Sequence, residues 1–514
     1  MRDIRETAKK LRKKIKELEG QPSHFAGPIP VLKTILSSLT TDKDLFKVTP
    51  EGARIYRGSG YWEPVTEEAI AFLAGALDGT VKEYIARPKK DEEPKFIRVD
   101  SRFRRELAEA LLLDIDGHDP EFFEKSPYRG AATFKDGVFA VPQNPDNSDY
   151  FEHCPDFRSR SYFDFDILPH ADAPKAPVFE MVVKDWFANE GENETARIRE
   201  ILLEFIGLTA LGLASTHQKA LFLLGGGNNG KSVFLNALTG IPGKFEGVFP
   251  HEYTTASCPT SWDSPGLIGM QSRQALTGMM LNAVPEVSGN KFHDTMGFKS
   301  IVVGDRVFAR EAHSKMGQRN FPCGHIFGLN NLPESHKDDS DGFFRRCLFI
   351  PFSRDFSKSP TAKRWDPMQL SMEIAKERGP IMAMALDAAI FVLKRGHYTE
   401  TLSSARLLRG YRETNPFFEF CSGLEKASTT NTKKDWVTLG TLWAEFNRLQ
   451  YNSGYTGSDA IKKGKFLEKM KDAFPAHHAY YGRRWVFCLS FLLEDDTPRI
   501  GIVSAQRAEE FENN

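Results

Sequence analysis

At 514 residues the chain is too long for a single hydrophobic core, and roughly two to four domains are expected. A hydrophobic share of 40% with 27% charged residues excludes fibrous, disordered and membrane-embedded classes and describes a soluble globular protein. Lysine and arginine number 68 against 69 acidic residues, which excludes a globally basic nucleic-acid binder, so any such contact must be a local patch.

In chain order, residues 2–19 read as a helix with Ile4, Ala8, Leu11, Ile15 and Leu18 on one face and mostly Arg and Lys elsewhere. It can pair with another subunit, touch phosphates, or pack on its own domain; periodicity does not choose. From residue 22 to about 193, short strands and helices alternate. Helices are expected at 67–77 and 105–113, extended segments at 54–62, 130–141 and 161–167, and turn-rich loops at 142–154 and 169–177. A helix at 196–213 then leads to the apolar run 220–224. Beyond it, helical patterns occupy 367–394, 439–449 and 462–473, and an extended 484–491 follows the basic turn Tyr481-Gly482-Arg483-Arg484.

The six cysteines are scattered, with no Cys-x-x-Cys pair, which argues against a disulfide framework or zinc ribbon and fits a reducing cytoplasm. His153-Cys154 is the nearest approach to a metal half-site and lacks a partner pair. With no apolar leader-like run and no stretch of about 18 apolar residues, the expectation is a cytoplasmic protein without a membrane partner. Most of the 40 phenylalanines are expected in the core.

The strongest chemical signal is Gly225-Gly226-Gly227-Asn228-Asn229-Gly230-Lys231-Ser232, set between the apolar run and the helix-compatible Val233–Leu238 stretch. Strand, glycine-rich loop and helix follow in the order that cradles nucleotide phosphates: backbone N–H groups turn inward, Lys231 reaches the β- and γ-phosphates, and Ser232 ligates Mg²⁺. Gly225 to Val233 are therefore the candidate ATP-binding residues, with ATP and Mg²⁺ as cofactors. Hydrolysis also needs an acid, a polar group beside the γ-phosphate and a cation for developing charge. Glu286, closing the apolar strand 279–285, is the candidate acid and second metal contact. Asn330, ending the strand 325–329, is the candidate polar sensor. Arg345 and Arg346 precede a third apolar strand, 347–352, and either is placed to act as a finger on a neighbouring subunit's nucleotide; spacing does not choose between them.

Taken in order, the phosphate loop, the Glu286 strand, Lys-Ser-Ile-Val-Val-Gly-Asp-Arg-Val-Phe-Ala-Arg at 299–310, Asn330-Asn331-Leu332-Pro333 and 342–352 resemble the superfamily 3 helicases. The type is the phage and plasmid primase-helicase, related to the poxvirus primase-helicase. Tyr162-Phe163-Asp164-Phe165-Asp166 onward to Phe187 is similar to the domain ahead of that ATPase, and Glu377-Arg378-Gly379-Pro380-Ile381 to the helix after it. The resemblance spans about 120–395.

It implies an α/β fold: an AAA+-type P-loop ATPase core with a mostly parallel central sheet behind an α+β N-terminal domain; separately, the two tail helices and the strand after them suggest a small winged-helix-like C-terminal domain. The domains would run 1–20 (basic helix), 21–195 (α+β, from about 120 the helicase-associated part), 196–355 (ATPase core), 356–410 (helical extension) and 411–514 (winged-helix-like). It further implies a ring, commonly a hexamer, 3′-to-5′ travel on single-stranded DNA, and a channel hairpin at about 312–321. There His313, Lys315 and Arg319 would meet DNA phosphates, with a solvated surface loop as the plain alternative. Forked or origin DNA and a separate primase or host replication protein are the implied partners. Leu113-Asp114-Ile115-Asp116 resembles a two-metal primase strand only superficially, since it follows a helix and precedes Gly117, so primase activity is not expected. The alternative reading is a P-loop ATPase that serves replication initiation, defence or packaging without unwinding.

Overall fold

The computed structural model describes residues 46–49, 52–65, 67–75, 100–103, 106, 119, 121–123, 125–172, 174–255, 273, 275–287, 295–305, 307–309, 317–319, 323–332, 341–358, 366–413, 416–426, 436–452, 460–474, 478–481 and 483–491. The expected helix at 2–19, Asp114, Asp116, His313 and Lys315 lie outside these. Two compact units emerge: 1–288 with 296–331 and 345–404, and 289–295 with 332–344 and 405–514.

The first unit opens with an antiparallel three-stranded sheet, β1 (Phe46–Thr49), β2 (Gly52–Tyr56) and β3 (Trp62–Pro64), followed by the Glu67–Gly75 helix. A second sheet has the order β6-β5-β4-β7, from β4 (Tyr128–Phe134), β5 (Val138–Pro142), β6 (Asp149–Phe151) and β7 (Tyr162–Phe163). Two expected single strands, 54–62 and 130–141, are thus hairpins. Lys135-Asp136-Gly137 turns the second, and Asp136 holds the turn by accepting from the Ile167 N–H at 2.9 Å and the Leu168 N–H at 3.0 Å. His153 is occupied structurally, its Nε2 lying 2.9 Å from the Phe134 carbonyl.

The core of this unit is a four-stranded parallel sheet, ordered β13-β8-β12-β9. It comprises β8 (Ala220–Leu224), β9 (Leu281–Val284), β12 (Gly324–Leu329) and β13 (Cys347–Pro351), with the hairpin β10 (Val307–Ala309) and β11 (Gly317–Arg319) between β9 and β12 in sequence. β8 and β13 are continuous apolar runs, and β9 and β12 are buried throughout, the pattern that a covered parallel sheet requires. The Glu192–Ala210 and Arg378–Arg395 helices form the largest packed pair. Gly207 makes it possible, since a Cβ there would run into the Ala385 carbonyl.

The 367–394 segment is two helices, Pro367–Lys376 and Arg378–Arg395, broken at Glu377. The break has a use. Glu377 turns its carboxylate onto the first N–H groups of the Pro177–Trp186 helix, accepting from Val178 at 2.9 Å and Phe179 at 2.8 Å, where negative charge is favoured. Arg378 bonds the Asp164 carbonyl at 3.1 Å and lies over Phe165, while a Cβ at Gly379 would meet the His170 ring. The two flanking motifs singled out in the sequence therefore hold each other.

The second unit carries helices Pro416–Ser422, Leu439–Asn452 and Lys463–Ala473 against β14 (Leu424–Lys426), β15 (Trp436–Thr438), β16 (His478–Tyr481) and β17 (Arg484–Phe491), with β17 central. Its core is aromatic, with Phe446 stacked on Phe466 at 4.6 Å beside Phe417, Phe420 and Phe487. Among the described residues no helix is long and apolar enough to cross a membrane.

Candidate nucleotide-binding site

All four parallel strands deliver their C-terminal ends to one side, where open α/β sheets place ligands. β8 ends at Leu224, and the next residues form the loop. Gly227 (φ +102°), Asn228 (φ +46°) and Gly230 (φ +94°) take left-handed conformations, so the chain doubles back before the Lys231–Thr239 helix. A Cβ at Gly225 would collide with Asn229 and the Phe352 carbonyl; one at Gly230 would collide with the Trp186 indole. Gly226 differs: nothing lies within 4 Å of the Cβ position, so its backbone faces open space. Trp186, Phe234 and Phe352 form the apolar floor, with ring centroids 5.9 Å and 5.7 Å from Trp186.

Lys231 is 6% exposed, and its ammonium is held by the Gly225 carbonyl and, at 3.2 Å, by Asn229 Oδ1. Burial pushes its pKa down, and the nearby Glu286 carboxylate acts in the opposite sense. Ser232 and the first N–H groups of the helix sit at the same mouth, with the positive end of the helix dipole behind them.

Glu286 stands just past β9 and Asn330 just past β12, and the Asn330 amide donates to Glu286 Oε1 at 2.6 Å. This proximity has a local cause. β9 and β12 run in register to Val284 and Phe327, and Gly328 lets the Pro285 carbonyl pass where a Cβ would block it. Val287 then closes the pair by bonding the Gly328 carbonyl at 2.9 Å. Lys231, Ser232, Glu286 and Asn330 all line one cleft of about 1100 Å³.

That volume is slightly above the roughly 300–1,000 Å³ of pockets for drug-sized ligands, so a nucleotide has room. The open face of Gly226, the buried ammonium and the exposed Ser232 suit a triphosphate with Mg²⁺, which keeps most of its ligands as water and phosphate oxygens. Among the described residues no cluster of three or more His, Cys, Asp or Glu side chains forms a separate metal site.

Other candidates lie elsewhere. Arg345 and Arg346 sit at the N-terminal end of β13, where the Arg346 carbonyl accepts from Ala220 N–H at 2.8 Å. The five residues of β13, at about 3.3 Å each, put them on the order of 15 Å from their own cleft. Arg346 is 8% exposed, whereas Arg345 is exposed and bonds Gln218 at 3.3 Å. Arg319 lies in β11 opposite Val307, whereas His313 and Lys315 of the expected 312–321 hairpin lie outside the described residues.

The sequence reading missed Arg354. It lines the cleft beyond β13, pairs with the Asp185 carboxylate, donates to the Asp185 carbonyl at 2.8 Å and lies over Phe356. Its only sequence signal was its position three residues past a strand end.

The structure thus defines an α/β protein with a parallel four-stranded sheet whose strand ends converge on a glycine-lined cleft. No family model and no curated protein matches the chain. Among solved structures it is similar to an A-form apo structure of the NrS-1 C-terminal region, with 11% identity and a TM-score of 0.33 over 67% of this chain and 83% of that one. A second A-form structure of that region gives 11%, 0.34, 66% and 81%. Superpositions this loose identify neither fold nor function, which rest on the cleft's own geometry.

Proposed function

We propose that the chain is an ATP-hydrolysing motor of the superfamily 3 helicase type, with an AAA+-type core, acting on DNA in the replication of a phage, plasmid or other mobile element. The observation that carries this is the convergence of Lys231, Glu286 and Asn330 on one cleft from the ends of β8, β9 and β12. Magnesium would screen the phosphates and fix their geometry. Lys231 would exchange the Gly225 carbonyl for a β- or γ-phosphate oxygen. Glu286 would polarise the attacking water, and Asn330 would hold Glu286 in position and sense the γ-phosphate.

Arg345, exposed and far from its own cleft, is the better candidate for a finger that completes a neighbour's site, which in turn calls for a ring. The β10–β11 hairpin is the DNA-contacting element of this reading, and the helices and β16–β17 hairpin of the second unit support a winged-helix-like module. ATPase measured with and without single-stranded DNA, together with strand release from a forked duplex, tests the proposal. DNA-stimulated turnover with strand release is expected. Turnover that ignores DNA and releases no strand would leave the non-unwinding alternative.

A further inference from the structure

The cleft extends well past its catalytic end. Glu286 and Asn330 stand beyond β9 and β12, which lie to one side of β8 in the order β13-β8-β12-β9, while β13 lies on the other. At about 4.8 Å per strand, β13 is roughly 14 Å from β9. The chain leaving β13 runs along the phosphate loop: Phe352 N–H bonds the Leu224 carbonyl at 2.7 Å, and Phe356 N–H bonds the Asn228 carbonyl at 2.8 Å. A triphosphate whose last phosphate meets Glu286 and Asn330 therefore directs its nucleoside toward this segment.

That end of the cleft is walled by apolar side chains. The Pro177–Trp186 helix contributes Met181 and Val182, the Pro367–Lys376 helix contributes Pro367 and Leu370, and the segment after β13 contributes Phe356. The bland explanation is a packing seam between helices, since Phe356 and Leu370 also lean on the core. A packed seam would close over its own walls. Here Met181 is 45% exposed and Pro367 is exposed as well, so apolar surface is left for a ring lying in the cleft to cover.

The hydrogen-bond donors along these walls are committed to the protein. Arg354 serves the Asp185 carboxylate and carbonyl, and Ser357 gives both its N–H and its hydroxyl to Asp355 Oδ1. Asp366 caps the N–H groups of Met368 and Gln369, and Asn228 takes that of Phe356. Lys184 is exposed, and its mobile point charge suits phosphate better than the edge of a base. A slot with apolar walls and engaged donors holds a ring by its faces, which every base has. It therefore grades bases by size more than by edge pattern.

We infer that this end of the cleft is a base-stacking subsite, and that the chain takes purine nucleoside triphosphates as a class, ATP and GTP alike, ahead of pyrimidine ones. The inference rests on the reading of residues 225–232 as a phosphate loop, and on nothing concerning DNA, unwinding or a ring.

The test uses the full chain carrying Glu286→Gln, which slows turnover during the measurement, with Mg²⁺ present. A fluorescent ATP analogue is bound and displaced by ATP, GTP, CTP or inorganic tripolyphosphate. ATP should bind at least tenfold more tightly than tripolyphosphate, GTP within tenfold of ATP, and CTP at least fivefold more weakly than ATP. Adding Met181→Ala with Leu370→Ala should weaken ATP and GTP at least fivefold and leave tripolyphosphate within twofold. Should that pair fail to fold, Met181→Ala alone, at a half-exposed position, should weaken ATP at least threefold with tripolyphosphate again unmoved. An ATP advantage over tripolyphosphate of less than tenfold, CTP within fivefold of ATP, GTP more than tenfold weaker than ATP, or folded variants that bind ATP like their parent would each overturn the inference and leave the phosphate loop standing. Binding of neither ATP nor tripolyphosphate would overturn both.

Discussion

The side-chain amide of Asn330 donates to Glu286 Oε1 at 2.6 Å, tying the ends of two neighbouring parallel strands across the mouth of the cleft. A carboxylate held in this way keeps one oxygen engaged and the other available to a water. Asn330→Ala should therefore lower kcat by about 10- to 100-fold with little change in KM, whereas Glu286→Gln should lower it by about 10²–10⁴-fold. Steady-state ATPase with both parameters resolved checks this; a rise in KM alone would show that neither group acts on the reacting water.

The loop glycines separate folding from binding. Gly230→Ala must adopt φ +94° and displace the Trp186 indole, so a loss of about 1–3 kcal/mol is expected in thermal or urea unfolding. Gly226→Ala meets nothing and should melt within about 0.5 kcal/mol of the parent. Its methyl would instead stand where a phosphate approaches, and binding of a fluorescent ATP analogue should fall at least tenfold. Lys231→Ala should abolish turnover while the fold survives.

These contrasts show what the sequence made legible. The order of strand, loop and helix was readable because a parallel, fully covered strand is commonly a near-continuous apolar run, as β8 and β13 are. The hairpins inside 54–62 and 130–141 were not, because two short strands joined by a tight turn leave the same apolar signature as one long strand. Nor were Trp186 under Gly230, Gly328 against Pro285, Glu377 capping a helix some 200 residues earlier in sequence, or Arg354 with Asp185. Each depends on a partner distant in the chain, which periodicity does not report.

Glu377→Ala removes both side-chain acceptors from the start of the Pro177–Trp186 helix and should cost roughly 1–2 kcal/mol. Because Trp186 closes the far end of that helix against Gly230, the nucleotide KM should rise as well. Glu377→Gln, which keeps one acceptor, should lie between. Chemical unfolding read alongside ATPase checks both effects; an unchanged melting midpoint would mean the cap contributes nothing.

His325 sets an acid limit on stability. It is fully buried in β12, with Nδ1 3.3 Å from the Asn282 amide and Nε2 3.5 Å from Cys323 Sγ, and burial pushes its pKa down to about 4. The unfolded chain takes up this proton near pH 6.5 and the folded chain does not. The contribution is therefore fully present above pH 6.5 and is lost as pH falls from there to about 4, at up to about 1.4 kcal/mol per unit. Urea unfolding at pH 7 and pH 5 should show the decline, and His325→Gln should flatten that part of it.

The two neighbouring arginines at the start of β13 make opposite predictions. Arg346 is 8% exposed and sits where the Ala220 N–H pairs with its carbonyl, so Arg346→Ala should destabilise the fold by about 1–3 kcal/mol. Arg345 is exposed, and Arg345→Ala should melt like the parent. If Arg345 completes a neighbour's site, that variant loses turnover all the same, and mixing it with parent chains lowers activity more steeply than dilution does, because each altered subunit silences the cleft beside it. Loss in strict proportion to the mixing ratio would remove Arg345 from catalysis and, with it, the reason to expect a shared site.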